Sequence, residues 1–219
     1  MIALRARLSA RGHDAGVTIA ELLVTVMIFG IVLAVSTGTF VSLARATSSA
    51  RSLDASTRQT SNGMNAVAQS VRSTADLPVA SSADAPAFRE ATAERLQLTT
   101  FVNFADTQAK PTLVTYSLDS SRRLREDRVA AQSSGSFWVF PASAVPSSRL
   151  LTAPLASGGP PVFRYLEADG DELLLTQGSL TETQRKQVAF VQVTLVVAGS
   201  GSSPSMTLTN TIGTPNLVR

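Results

Sequence analysis

The longest apolar stretch of the chain lies near its start and predicts a membrane-spanning helix. Residues 22–35 include no charged side chain and a single polar one, Thr25, and the uncharged run continues through smaller residues to Ala44. The 28 residues from Val17 to Ala44 would form a helix of about 42 Å at ~1.5 Å per residue. Because a bilayer core is ~30 Å thick, we expect residues 17–44 to span a membrane with some tilt.

The helical pattern continues beyond the apolar stretch in an amphipathic form. Apolar side chains recur at spacings of three and four, which is the period of one helix face. This sparse stripe consists of Phe40, Leu43, Leu53, Met64, Val67 and Val71. We therefore expect the same helix to continue over residues 45–76, with its stripe lying on a sheet. Its end is predicted at about Thr74, because Asp76-Leu77-Pro78 follows.

Two short stretches weaken this helical pattern. Ser36-Thr37-Gly38-Thr39 combines a glycine with β-branched residues, which lower helix propensity, so we expect local unwinding there. Ser61-Asn62-Gly63 is predicted to form a bend or an irregularity. Residues 79–94 are rich in Ala, Ser, Asp and Pro and are expected to form a surface connection.

After this connection the periodicity changes to that of β-strands. Thr, Val, Leu and Phe dominate, and apolar and polar side chains alternate. The predicted strands are Arg95–Val102, Thr112–Leu118, Arg122–Arg128, Phe137–Phe140, Val162–Leu166, Glu172–Leu175, Lys186–Val197 and Met206–Thr211. Hairpin turns are expected at Asp119-Ser120-Ser121 and at Asp169-Gly170. Segments 141–161 and 198–205, which are rich in Pro, Gly and Ser, are predicted loops. The fold class is therefore α+β, with a β-rich body over residues 79–219.

Composition removes several kinds of chemistry. The chain has no cysteine, which excludes disulfides, zinc–thiolate sites and thiol catalysis. Its one histidine, His13, precedes the apolar run, so the body has no imidazole for a general base or a metal site. We therefore expect no enzymatic activity and no cofactor. No basic stripe with interleaved aromatic residues indicates nucleic-acid binding.

Residues 1–16 are short and basic, with Arg5, Arg7 and Arg11 ahead of the apolar run. This charge bias predicts an N-terminus on the cytoplasmic side and a body on the outer side of the membrane. An ordinary secretory signal is an alternative, with cleavage near Ala34-Val35-Ser36. Glu21 argues against that alternative, because it interrupts what should be an uncharged segment, and the apolar run continues past the cleavage position.

The residues at the start of the helix resemble a known motif. Gly16, Thr18 and Glu21, followed by an apolar helix with Gly30, resemble the cleavage motif of type IV prepilins, type II secretion pseudopilins and competence pilins. The motif is a glycine, a cut, a hydrophobic residue and a glutamate at the fifth position after the cut. Val17 departs from the phenylalanine usual in the family. The resemblance covers about 30 residues.

The resemblance implies a processing and assembly pathway. A membrane prepilin peptidase would remove the leader 1–16 by cutting between Gly16 and Val17, and would N-methylate the new amine of Val17. Thr18 and Glu21 would set the register of assembly, with Glu21 answering the amine of a neighbouring subunit in a filament core. The implied fold is a lollipop with a long helix packed on an antiparallel sheet. The implied location is the cytoplasmic membrane and then an extracellular or periplasmic filament.

Segments of the body are similar to minor pilins of the W type and to J-type minor pseudopilins. They are Thr112–Leu118, Leu124-Arg125-Glu126, Val162–Leu166, Gln187–Val197 and Thr207–Asn210. The resemblance implies a structural subunit of a type IV pilus, a competence pilus or a type II secretion pseudopilus, and the sequence does not choose among them. Its position at the tip or in the shaft also stays open, as does binding of DNA, a surface or secreted cargo by the body.

Four further features each have two interpretations. Gly30 is a packing position or an ordinary membrane-helix glycine, and Gly38 is a melting point during assembly or only a weak helix former. Asp169 and Asp171 are a weak calcium candidate or part of a solvated turn, and we favour the turn. Residues 122–128 form a solvated strand face or a docking patch. Trp138 is expected in the core, with an exposed adhesive role as the alternative.

Two rival functions remain beside the filament subunit. The first is a membrane-anchored extracellular binding or adhesive protein that never enters a filament. The second is a secreted β-fold enzyme, for which Asp169 and Asp171 would be the only candidate acids because histidine and cysteine are missing from the body.

Overall fold

A computed structural model describes residues 16–79, 84–101, 110–199 and 205–217 of the 219-residue chain. The predicted leader 1–16 therefore lies outside the described residues except for Gly16. The fold is α+β, as expected. In chain order the elements are α1 (Ile19–Arg72), β1 (Phe88–Ala91), β2 (Arg95–Thr100), β3 (Thr112–Leu118), β4 (Leu124–Ala130), β5 (Gln132–Ser134), β6 (Phe137–Val139), β7 (Ser147–Leu150), β8 (Phe163–Leu166), α2 (Glu182–Gln187), β9 (Phe190–Val197) and β10 (Met206–Gly213).

The chain divides into two compact units, Met1–Ser48 and Ser49–Arg219. The described part of the first unit is the apolar start of α1, whose side chains are almost all exposed. This segment is long and apolar enough to span a membrane. The helix passes through Ser36–Thr39 without a break, so the expected unwinding is absent and the helical hydrogen bonds outweigh the low propensity of Gly38.

The second unit is a helix-and-sheet body in which every strand pair is antiparallel. Its sheets have the strand orders β1-β2-β3-β4-β7, β10-β9-β8 and β5-β6. The final turns of α1 bury a face made of Met64, Val67, Ala68 and Val71, which belongs to one core with strand residues of the two larger sheets. These positions recur at three and four, so the predicted amphipathic stripe is confirmed over its C-terminal part.

The helix ends at Arg72, slightly before the predicted end, because the following residues pair with β2. Thr74 forms an isolated antiparallel bridge with Thr100, and its hydroxyl donates to the carbonyl of Thr99 at 2.8 Å. The bend expected at Ser61–Gly63 does not interrupt the helix, since α1 is continuous there. Glycine is needed at position 63 for a close approach: a Cβ added to it would lie 2.6 Å from the carbonyl oxygen of Leu151.

Six of the eight predicted strands occur with shifted or identical ends. Thr112–Leu118 matches β3, and β2, β4, β6, β8 and β10 lie within or overlap their predicted ranges. Val102, at the predicted end of β2, lies outside the described residues. The turn expected at Asp119-Ser120-Ser121 is confirmed between β3 and β4, where the amide of Arg122 donates to the carbonyl of Asp119 at 2.9 Å.

The other two predicted strands need correction. Glu172–Leu175 is not a strand: only Glu172 bridges Leu166, and the chain then leaves the sheet. The strand predicted over Lys186–Val197 begins only at Phe190, because residues 182–187 form α2. Thr181 caps this helix by accepting from the amide of Gln184 at 3.3 Å, and the Gln184 side chain accepts from the amide of Thr181 at 2.9 Å. The Thr-x-x-Gln spacing is a capping box that the sequence displayed.

Three short strands were not predicted, and two of them lie where a loop or a surface connection was expected. β1 falls inside residues 79–94, β7 falls inside 141–161, and β5 pairs with β6 in a small hairpin. Trp138 belongs to this hairpin and is only half-buried, so its expected place in the core is wrong. Phe137 and Val139 beside it are exposed, because the hairpin forms its own two-stranded sheet.

Candidate functional site

The residues singled out at the start of the apolar helix share its first turn. The helix begins at Ile19, and Thr18 precedes it as the capping residue. The hydroxyl of Thr18 accepts from the amide of Glu21 at 3.2 Å, and its carbonyl accepts from the amide of Leu22 at 3.0 Å. The Thr-x-x-Glu spacing is the signature of a capping box, a local signal that the sequence also displayed.

Glu21 is therefore the third residue of a helix, where a carboxylate interacts favourably with the exposed amides of the first turn. Its side chain is exposed, and no described cation lies within ion-pair distance of it. Among the described residues, its charge meets only the helix N-terminus. A second, opposite charge would have to come from outside the described residues.

The Gly16–Val17 peptide bond is accessible. Gly16 has no other group within 4 Å of the position that a Cβ would take, and Val17 is 70% exposed. Both residues precede the first helical turn. An extended, uncovered segment ahead of a helix can enter a protease cleft, and a glycine allows the closest backbone approach.

Large apolar side chains cover the helix beyond this turn on all sides. Sixteen of them between Val17 and Leu43 are at least 40% exposed. They are Val17, Ile19, Leu22, Leu23, Val24, Val26, Met27, Ile28, Phe29, Ile31, Val32, Leu33, Val35, Phe40, Val41 and Leu43. An all-round apolar helix is stable only in lipid or among other helices.

Three threonine hydroxyls of this helix are satisfied by the helix itself. Thr25, Thr39 and Thr47 donate to the carbonyl oxygens four residues earlier, at 2.7, 3.0 and 2.9 Å. This back-bonding removes the cost of bringing a hydroxyl into an apolar medium. Gly30 and Gly38 lie on the same helix with no group within 4 Å of an added Cβ, so either would leave room for another helix.

The acidic turn of the body is a solvated hairpin turn. Gly170 has a φ of +89°, and its amide donates to the carbonyl of Glu167 at 3.1 Å. Asp169 and Asp171 are exposed on this turn. Among the described residues, no group of three or more His, Asp or Glu side chains is placed to hold a metal ion. The predicted turn is therefore confirmed.

Glu126 is the acid whose environment was predicted wrongly from the sequence. It lies in the charged 122–128 segment, which was expected to be a solvated face, yet its side chain is fully buried. The register of the sheet places it between Tyr116 on β3 and Arg149 on β7. Glu126 accepts hydrogen bonds from Tyr116 at 2.9 Å, from Arg128 at 3.0 Å and from Arg149.

This buried cluster joins the helix to the sheet. The Tyr116 hydroxyl is hydrogen-bonded to the Ser70 hydroxyl of α1 at 2.8 Å as well as to Glu126. Burial opposes ionisation of Glu126, but the hydrogen bonds from Arg149, Arg128 and Tyr116 outweigh it, so the pKa of Glu126 lies below its ordinary value. Burial, and then the neighbouring carboxylate, raise the pKa of Tyr116 far above its ordinary value. The cluster is thus a neutralised, closed contact with no exposed carboxylate surface.

Comparisons with protein-family models, curated proteins and solved structures found no match to this chain.

Proposed function

We propose that this protein is a minor pilin or pseudopilin, a non-enzymatic subunit that a prepilin peptidase processes between Gly16 and Val17. It would then assemble into, or prime, a type IV pilus, a competence pilus or a type II secretion pseudopilus. The observation that carries the proposal is the exposed apolar helix with a single acid, Glu21, in its first turn. The resemblance of Gly16, Thr18 and Glu21 to the prepilin motif gives this arrangement its specific meaning.

The apolar surface supports two successive environments for one helix. Burying a large apolar side chain contributes about 1.5–3 kcal/mol, so sixteen such side chains represent a total on the order of tens of kcal/mol. A bilayer provides this burial before assembly, and a bundle of neighbouring helices provides it in a filament. Because lipid is as apolar as the helix surface, leaving it for a bundle needs a specific attraction between helices.

Glu21 supplies that attraction in the proposal. A carboxylate costs about 2.5–3.5 kcal/mol at the centre of a membrane on insertion scales, and less near the interface. A positive amine at Val17 of a neighbouring subunit would offset this cost within a bundle. Cutting after Gly16 creates that amine, so cleavage and assembly are coupled in this mechanism.

Mass spectrometry of the membrane-extracted protein tests the processing step. We expect a mature N-terminus at Val17 that carries one added methyl group. The Gly16→Ala variant, which adds a methyl to the residue before the cut, should accumulate the full-length form. An N-terminus at Met1 or at Ser36 in the native protein would contradict the proposal.

Two substitutions of Glu21 test the assembly step. Glu21→Ala removes both the charge and most of the side chain, whereas Glu21→Gln removes the charge and keeps a side chain of the same shape. If the charge drives assembly, both variants should be cleaved normally but should fail to co-purify with sheared filaments. Thr25→Val, which removes a polar group that only back-bonds within the helix, serves as the matched control.

A second candidate function has its own support in the structure. Glu21 lies in the first turn of α1, where a carboxylate interacts favourably with the helix N-terminus of its own chain. A membrane-anchored extracellular binding protein would need nothing more from Glu21. This alternative predicts that Glu21→Gln behaves as the unmodified protein and that no filament fraction contains the chain.

A further inference from the structure

Strand β10 forms one edge of the three-stranded sheet. All eight of its residues pair with β9 in an uninterrupted antiparallel register, from Met206 opposite Val197 to Gly213 opposite Phe190. Within the described parts of the chain, no strand pairs with its other side. An edge strand carries a row of backbone donors and acceptors that a further strand can use.

Hydrogen bonds on the far side of β9 show which residues of β10 face the open edge. The amide of Thr194 donates to the carbonyl of Val162 at 2.9 Å, and the carbonyl of Val196 accepts from the amide of Ala156 at 2.8 Å. The backbone amides and carbonyls of the even-numbered residues of β9 are therefore directed away from β10. Its odd-numbered residues therefore bond to β10, and their partners are the even-numbered residues 206, 208, 210 and 212. The alternation leaves the backbone groups of Thr207, Thr209 and Thr211 directed outward.

Nothing within the described chain satisfies these outward groups. The outward backbone amides and carbonyls of the three threonines make no hydrogen bond to a described residue. Their side chains are exposed and form a polar face with β9, where the Thr194 and Thr209 hydroxyls lie 3.5 Å apart. The edge is thus regular, hydrated and accessible.

The edge strands β7 and β1 carry features that discourage pairing. β7 has only four residues, includes the ion-paired Arg149 and follows Pro146. β1 is interrupted by a register shift between Phe88 and Glu90. Short length, charge, proline and bulges are the devices by which proteins block edge-to-edge association.

The edge strand β8 is covered by other parts of the chain. The amide of Phe163 donates to the carbonyl of Ala93 at 3.0 Å, and the carbonyl of Tyr165 accepts from Leu173 at 2.8 Å. β10 shows none of these protections. It has eight residues and no register shift. Residues 187–217 include no charged side chain, and their two prolines lie outside the strand. Among the four edges of the two larger sheets, β10 is thus the one without such a protection in the described part of the chain, which indicates that this edge is used.

We propose that β10 accepts an extended, uncharged segment of a neighbouring subunit, which adds a fourth strand to this sheet during assembly. The inference rests on the proposed function, because the filament supplies the neighbour. The backbone groups of Thr207, Thr209 and Thr211 provide the hydrogen bonds. The segment is uncharged because residues 187–217, which include β9 and β10, offer no charged side chain that could pair with a charge on the incoming strand.

Thr209→Pro tests this directly, since it removes one outward amide while leaving the ladder to β9 intact. Proline is tolerated in a strand where its nitrogen faces away from the sheet. Thr209→Val keeps the amide and changes only the side chain, so it is the matched control. We expect at least about tenfold less Thr209→Pro protein than Thr209→Val protein in sheared filaments, from the lost hydrogen bond and the ring that blocks a strand.

Thr211→Lys keeps the amide but places a charge beside the incoming strand, so it provides a second, independent variant. Both Thr209→Pro and Thr211→Lys should be impaired, with melting temperatures of the detergent-extracted proteins close to that of the unmodified chain. Equal incorporation of either variant and the Thr209→Val control would overturn the proposal. If Thr209→Pro melts lower, Thr211→Lys alone decides.

Amide hydrogen exchange identifies where the occupant lies. In filaments, the amides of Thr207, Thr209 and Thr211 should exchange at least about tenfold more slowly than in the extracted subunit. Unchanged exchange would overturn the proposal, as would protection already present in a concentration-dependent dimer of the extracted protein. The unmodified protein and the edge variants separate the two hypotheses. If the unmodified protein is absent from filaments, the proposed function fails. If the unmodified protein and the edge variants assemble equally well, only the strand addition is refuted.

Discussion

Replacing Glu126 with glutamine tests the buried contact between the helix and the sheet. The substitution keeps the shape and one acceptor oxygen but removes the charge that Arg128 and Arg149 neutralise. Breaking a fully buried ion pair costs about 3–5 kcal/mol, because the remaining charge stays buried. Here the Arg128 and Arg149 side chains are 27% and 55% exposed, so both can regain water. We therefore expect a smaller loss of about 2 kcal/mol, in the range of hydrogen bonds to charged groups.

The dependence on pH gives the same prediction a second readout. The pKa of Glu126 is lower in the folded protein than its unfolded value of about 4.3. Between those two pKa values the unfolded chain binds the extra proton, so stability falls as pH falls. The stabilisation by Glu126 is therefore complete at pH 7 and is lost as the pH drops below about 4.3 towards the folded pKa. The difference in unfolding free energy between the native protein and Glu126→Gln should shrink over that range.

The measurement is urea and thermal unfolding of the full chain in detergent, followed by circular dichroism at several pH values. A loss of about 2 kcal/mol corresponds to a melting temperature lower by about 4–8 °C for a body of this size. Glu172→Gln, which removes a partly exposed ion pair with Arg164, is the control and should change stability by less than about 0.5 kcal/mol. A Glu126→Gln effect no larger than the control, or one that stays constant down to pH 3, would refute the reasoning.

Two further predictions concern the helix contact and the small hairpin. Gly63→Ala should destabilise the body by about 1–3 kcal/mol in thermal unfolding, because the new Cβ would lie 2.6 Å from the Leu151 carbonyl oxygen. Gly38→Ala is the control: its Cβ has open space, so this variant should unfold no earlier than the native protein. Equal effects of the two substitutions would show that helix propensity, and not the close contact, determines the change in stability. The fluorescence of Trp138, the one tryptophan, should be quenched by acrylamide in the folded protein, because this indole is only half-buried, and full protection from the quencher would place it in a core after all.

Local patterns predicted the elements whose residues carry their own periodicity. The helix stripe at Met64, Val67 and Val71 and the alternation of β9 identify a buried face without knowledge of any partner. β1 and β7 gave no such signal, since each has four residues and includes charged side chains. Their strand conformation comes from pairing with other strands: β1 pairs with β2, the next strand in the chain, and β7 pairs with β4 across the long connection 131–146.

In the candidate site, too, local contacts could be predicted from the sequence, whereas contacts that depend on strand pairing could not. Thr18 and Glu21 lie three residues apart, so their contact could be predicted from the sequence by capping chemistry alone. Glu126 could not be placed in this way, because its neighbours in sequence are charged and suggest a solvated face. Its burial depends on the register that puts Tyr116 and Arg149 on either side, and register is a property of three paired strands.

The close approach at Gly63 also determines where along its axis the helix can sit on the body. Sliding the helix by one turn, about 5.4 Å, would bring Val67 or Thr60 towards the Leu151 carbonyl oxygen, and both have a Cβ that the contact excludes. Because position 63 has no side chain, the helix can make this close contact with the Leu151 carbonyl oxygen at only one position along its axis. A pull along the helix axis would therefore be resisted by this close contact as well as by the burial of the apolar face.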